Sequence, residues 1–200
     1  MPSSWACWAS PPDGTLRAPR STFIAAGAPA ARPGFLQGWQ RLSAAVKDLV
    51  TVENDEIAFG LDDLLPLAER VPIVLDLHHH WIKSEGRYIE PEDPRVDAIR
   101  ASWRGVRPLA HLSVSREDLL DGHDPQVRPD YAFLAGMGLK PAALRAHSDR
   151  MWNRAVNRWA AGHLAWADLE IEAKAKNLAA DDFERDLPSP RHQGLVLEQN

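Results

Sequence analysis

The chain has a single cysteine, Cys7. One thiol excludes an internal disulfide framework and fits a reducing compartment, so a cytoplasmic protein is expected. No apolar run approaches the ~18 residues needed to span a bilayer, and no membrane partner is expected. The N-terminus lacks a charged stretch followed by an apolar one, so no secretory signal is recognisable. Positive charge is also scarce: Lys and Arg number 23 against 28 Asp and Glu, a net charge of -5. That balance argues against a broad basic surface for nucleic acid. It leaves open a site in which bound cations supply the charge a phosphate needs. No histidine precedes His78.

What the chain does have is a hydrophobic fraction of 44% in 200 residues, enough for one packed domain. Residues 1–33 hold the turn signal Pro11-Pro12-Asp13-Gly14 and the low-complexity run 27–33. They show no period and read as a disordered leader. From Gly34 the pattern changes. Phe35, Trp39, Leu42 and Val46 fall at helical spacing. Residues 49–52 read as a short buried strand ending in Glu53, and Asp62 is placed to cap the next helix. The run Val71-Pro72-Ile73-Val74-Leu75 suits a strand over 73–77 buried on both faces, followed by Asp76, three histidines and Trp81.

Residues 82–92 read as a loop. Asp93-Pro94 caps a helix with Val96, Ile99 and Trp103 on its buried side, and Gly105 ends it. A strand interrupted by His111 is expected over 106–114. Residues 115–143, rich in glycine and proline, read as a long loop with one helical turn, a length usual for lids and binding loops. Residues 144–149 introduce a helix whose apolar side is Trp152, Ala155, Val156, Trp159 and Ala160. A last strand over 168–173 contains Glu172, a charged helix follows to Arg185, and the tail from Pro188 is loop-like. This alternation predicts an α/β fold with a parallel sheet. Four βα units make half of a (β/α)8 barrel, where chemistry sits at the C-terminal ends of the strands.

Each of those strand ends carries a hard or borderline ligand type: Glu53, Asp76 with His79, His111, and Glu172. Singly, each has a plain alternative. Glu53 could cap a helix, His111 could be a satisfied core histidine, and the histidine triplet could be a surface loop. Together they suit Zn²⁺ or Mn²⁺, and grouped ions can clamp a phosphate. His147 stands before a helix and could reach the same face. His123, His163 and His192 read as surface residues. Arg150, Arg154 and Arg158 recur at i, i+4, i+8, either as a solvated face or as a phosphate track.

Thr51-Val52-Glu53-Asn54-Asp55, Leu75-Asp76-Leu77-His78-His79-His80, Ala110-His111-Leu112-Ser113, His147-Ser148-Asp149 and Glu172-Ala173-Lys174-Ala175-Lys176 resemble the second half of the UV damage endonucleases. The match runs from 34 to 186. The resemblance implies a partial TIM barrel, roughly its C-terminal four βα units, over 34–187, with a flexible tail over 188–200. It implies a DNA-repair phosphodiesterase that nicks UV-damaged duplex DNA 5′ to the photoproduct, using divalent ions. Manganese is the expected ion, with Zn²⁺ or Mg²⁺ as substitutes. By resemblance Glu53, Asp76, His79, His111 and Glu172 would be metal ligands, with His147 beside them as a ligand or phosphate-contacting residue. His147 and Glu172 are the expected catalytic residues, and the arginine row Arg150, Arg154 and Arg158, read from its spacing, the expected DNA-phosphate contacts.

The family's first half brings further histidines that this chain lacks, and Leu109 stands where many members have lysine. A second chain completing the barrel is therefore a further expected partner. The alternatives are a metal-dependent sugar isomerase or epimerase on a similar barrel, and a non-catalytic half-barrel.

Overall fold

A computed structural model describes residues 21–24 and 32–187. Cys7, His192, the tail from Pro188 and most of the expected leader (1–20 and 25–31) lie outside the described residues. Five strands lie side by side in chain order, each pair parallel. They are β1 (Ser21–Ile24), β2 (Val50–Glu53), β3 (Ile73–Asp76), β4 (Leu109–Leu112) and β5 (Asp168–Ile171). β1 falls inside the stretch read as a leader. It is a single short run with no neighbouring period to reveal it, and it becomes a strand by pairing beside β2.

Between the strands run α1 (Arg32–Arg41), α2 (Ala44–Lys47), α3 (Leu61–Leu64), α4 (Leu77–Lys83), α5 (Pro94–Ser102), α6 (Tyr131–Gly136), α7 (Pro141–Leu144) and α8 (Arg154–Ala161), and α9 (Asn177–Arg185) follows β5. Parallel neighbours need such crossovers, because a tight turn cannot return the chain to the same end of the sheet. The core lies where the sequence is most continuously apolar: Val71, Ile73, Val74, Leu75, Ala110 and Leu112 are fully buried. Trp103, the residue that caps the end of α5, donates its indole N–H to the Ile73 carbonyl at 2.7 Å.

Several local expectations change in the structure. Gly60, not Asp62, caps α3, and the Asp63 carboxylate accepts from the Gly60 N–H at 3.0 Å. An acid at the third helical position serves the same orphan donors as one at the cap. The strand over 73–77 ends at Asp76, and the histidines start a helix instead of a loop. Asp76 makes that turn: its backbone is still extended and its carboxylate accepts from the His79 N–H at 2.7 Å. α4 closes at Gly86 (φ 98°), where a Cβ would come within 2.5 Å of the Tyr131 Cβ. The region 115–143 holds a turn of 3₁₀ helix at Glu117–Leu119 as well as α6 and α7. α8 starts later than 144–149 suggests, capped by Asn153, whose side chain accepts from the Val156 N–H at 2.9 Å.

His163 is a correction. It was expected at the surface and is fully buried, hydrogen bonding to the Ile89 carbonyl at 3.1 Å and accepting from the Trp166 indole at 3.2 Å. Burial holds it down at about 4, so it stays neutral. His123 is half-buried, edge-on to Trp152. Among the described residues no helix is long and apolar enough to cross a membrane.

Candidate metal centre

The sheet register builds the site. Asp76 pairs with His111, and His111 pairs with Glu170, so the three stand in one row across β3, β4 and β5. Side chains two apart share a face of a strand, which puts Glu172 on the same side as Glu170. Glu53 is opposite Val74, two residues before Asp76, and therefore also faces that way. Asn54 locks β2 to β3 at this end. Its amide donates to the Asp76 carbonyl and its carbonyl oxygen accepts from the Asp76 N–H, both at 2.9 Å.

One donor atom each from Glu53, Asp76, His111 and Glu172 lies within 4.8 Å of the other three. His111 Nδ1 is 3.1 Å from Glu53 Oε1 and 3.3 Å from Glu172 Oε1. His79 flanks the group, with Nδ1 3.4 Å from Asp76 Oδ2 and 3.6 Å from Glu53 Oε1. That nitrogen also hydrogen bonds to the Asn54 carbonyl at 3.0 Å, so it carries the proton and Nε2 is the free donor atom. Nε2 faces Glu56 at 3.6 Å. His147 Nδ1 is 4.0 Å from Glu172 Oε2, and its ring lies 6.1 Å from that of His79.

The charges here lack balance. Asp76 is fully buried, and its Oδ2 has no hydrogen-bond partner among the described residues. Burial, opposed by His79 and reinforced by the carboxylates of Glu53 and Glu172, pushes it up to about 7. Burial works against protonation of His111, but the Glu53 hydrogen bond and the surrounding acids outweigh it and raise the imidazole to about 9. His79 is raised for the same reason, Asp76 overcoming its burial. A buried carboxylate that resists ionisation, as Asp76 does, is relieved by a nearby cation. Three carboxylates and an imidazole form a donor set suited to a divalent ion of hard or borderline character, and the orphaned Asp76 oxygen fits that use.

The remaining expected residues are placed as follows. Of the histidine triplet only His79 turns toward the carboxylates, because successive helical residues point about 100° apart. His78 faces β4 and His80 faces away, its Nε2 buried without a partner among the described residues. Arg150 is not on α8 but precedes it, paired by two hydrogen bonds with Asp182 of α9. Arg154 lies 3.8 Å from Asp186, and Arg158 donates to Gln126 at 2.9 Å. Arg150 and Arg154 line a cleft of about 430 Å³ whose walls include Asp182 and Asp186.

Three residues at the site escaped the sequence reading. Glu170 has Oε2 3.7 Å from His111 Nε2, and its signal was the alternation Asp168, Glu170, Glu172 between Leu169 and Ile171. Glu56 and Arg145, 3.3 Å apart, lie in loops and carry no periodic signal.

Residues 26–194 match the family model described as UV-endonuclease UvdE. The UV-damage endonuclease of Schizosaccharomyces pombe is 34% identical over 151 residues, covering 72% of this chain and 21% of that protein. The UV DNA damage endonuclease of Halalkalibacterium halodurans is 26% identical over 157 residues, covering 76% of this chain and 42% of that one. The crystal structure of SacUVDE aligns with a TM-score of 0.59 at 20% identity, over 80% of this chain and 48% of that one. At that identity the likeness speaks for the fold, and the parallel strands are part of a TIM-type barrel. The chain spans less than half the length of each of these relatives.

Proposed function

Because the chain belongs to the UV-endonuclease UvdE family, we propose that it carries the C-terminal, metal-holding part of an endonuclease that nicks duplex DNA 5′ to UV photoproducts. The observation that supports this most is the convergence of Glu53, Asp76 and His111, on β2, β3 and β4, with Glu172, just past β5, within 4.8 Å. These four, with His79 beside them, would hold the divalent ion, Mn²⁺ in this reading, with Zn²⁺ or Mg²⁺ able to replace it. When bound, such an ion would polarise the scissile phosphate and lower the pKa of water, so that a protein base can take its proton and leave it nucleophilic.

The protein's own groups do the rest. Glu172 faces both His111 and His147, so a proton leaving the attacking water has a carboxylate and then an imidazole within reach. Arg145, 40% exposed and 3.3 Å from Glu56, which itself lies 3.6 Å from His79, would meet a phosphate of the bound strand. Arg150, Arg154 and Arg158 would add phosphate contacts only by exchanging their present partners. Among the described residues β1 and β5 end the sheet, and these edges suit further barrel strands, which a second chain would be able to supply.

The test is nicking of UV-irradiated plasmid with Mn²⁺, by the chain alone and completed with the upstream half of a family member. Nicking of irradiated but not untreated DNA, lost in Glu172→Gln, is expected of the completed protein. A completed, folded protein that binds Mn²⁺ and leaves irradiated DNA intact would sink the reading.

A further inference from the structure

His78 stands next to the metal-facing His79 but does not look at the carboxylates. Its ring is buried between two hydroxyls of the segment that follows β4, 2.8 Å from Ser113 Oγ and 3.2 Å from Ser115 Oγ. The direction of each bond can be assigned. Ser115 spends its proton on the Leu144 carbonyl at 2.6 Å, so its oxygen accepts from His78 Nε2–H. Nδ1 is then bare and accepts from the Ser113 hydroxyl. The result is a one-way chain, Ser113 to His78 to Ser115 to Leu144, with every member buried.

The clamped segment also borders His147. Ser113 and Ser115 flank Val114, whose carbonyl accepts from the Ser148 N–H at 2.9 Å. Ser115 itself forms an isolated antiparallel bridge with His147. Its carbonyl receives the Trp152 indole N–H at 2.9 Å, so the segment is held on both sides. The His78 ring meets the His147 ring edge-on, with centroids 5.7 Å apart. Histidine alone among the side chains offers a donor and an acceptor across a rigid ring, which is what two hydroxyls of opposite role require.

We propose that His78 is a positioning residue: it clamps Ser113 and Ser115 and thereby sets where His147 stands beside Glu172. The proposal rests on the role given to His147 above. A ring held this way fixes the approach of a neighbouring catalytic imidazole as the outer partner of a metal-bound histidine fixes that ligand.

The experiment compares the full chain with His78→Phe, Ser115→Ala and His78→Gln, each checked for folding by the near-UV signal of its tryptophans. His147 is followed through its imidazole ¹H–¹⁵N correlations, without metal, in every variant. The completed protein is also assayed for kcat and KM on irradiated DNA with Mn²⁺. His78→Phe and Ser115→Ala should displace or broaden the His147 signals and lower kcat roughly 10-fold or more at unchanged KM. His78→Gln keeps a donor toward Ser115 and should restore much of both. Should His78→Phe fail to fold, Ser115→Ala and His78→Gln carry the same comparison. His147 signals that coincide with wild type in folded Ser115→Ala or His78→Phe would overturn the proposal. Displaced His147 in a completed protein that never nicks DNA would leave the clamp standing and remove the proposed function instead.

Discussion

At the scale of single residues, Asp76 does two jobs that pull apart. One oxygen caps α4 and the other faces the carboxylates without a partner. Its folded pKa of about 7 lies above the unfolded value of 3.8, so ionisation costs more in the folded chain. Stability from this group is greatest below the unfolded value and falls as pH climbs through the interval to about 7. A bound cation reverses that preference. The rise in Tm caused by Mn²⁺ should therefore grow with pH across the same interval, as binding releases protons. Asp76→Asn keeps the cap and removes the charge. It should leave the metal-free protein more stable by roughly 1–3 kcal/mol while abolishing the Mn²⁺-dependent shift. A metal-free Asp76→Asn protein that melts below wild type would contradict this account of Asp76.

The same residue shows what was legible in the sequence. Its place at the end of a run buried on both faces marked it as needing a partner, and strand-end position alone gathered Glu53, His111 and Glu172 with it. The division of labour among His78, His79 and His80 was not legible. It depends on the helix starting at Leu77, which follows from a side chain-to-backbone bond that no apolar period announces. That Arg150 stands before α8 and pairs with Asp182 was not legible either, because that partner lies 32 residues away, beyond any local pattern.

At the scale of elements, α8 depends on a cap. Asn153 is fully buried; it accepts from Val156 and donates to the Val127 carbonyl at 3.0 Å, tying the helix start to the long loop. Asn153→Ala should cost about 1–2 kcal/mol, read from urea unfolding, and loosen the loop to limited proteolysis. Just past α8, His163 joins the helix end to the loop before α5. Its folded pKa of about 4 lies below the unfolded 6.5. Between those values the unfolded chain takes a proton that the folded chain refuses. Stability is lost as pH falls through that window, on the order of 3 kcal/mol when complete. His163→Gln should flatten that part of the stability–pH curve, and an unchanged slope would show that the buried ring is not its source. The α/β alternation was plain from sequence, whereas helix starts shifted wherever a cap residue outvoted the apolar stripe.

At the scale of the whole molecule, β1 and β5 are the edges of the described sheet. β5 is only half-buried, unlike β2 and β3, every residue of which is buried. Exposed parallel edges recruit strands. Sedimentation should show association that increases with concentration and is suppressed when a complementary half-barrel is added. A strictly monomeric chain at high concentration would mean the edges are covered. The parallel topology was legible because each strand is separated from the next by helical sequence. The extra strand at Ser21–Ile24 was not, because only its pairing with β2 makes it one.

Strands that neighbour one another in space also neighbour one another along the chain. A chain emerging from a ribosome can therefore lay down its sheet one strand at a time, each new strand docking on the last. The donor ring does not fill at the same pace. Glu53, Asp76 and His111 arrive with the earlier strands, whereas Glu172, and with it the acid that faces His147, arrives only after β5. A cation that needs all four donors would be captured only after Glu172 has emerged, and a nascent chain released before Asp168 would hold most of the described sheet around an unfinished ring.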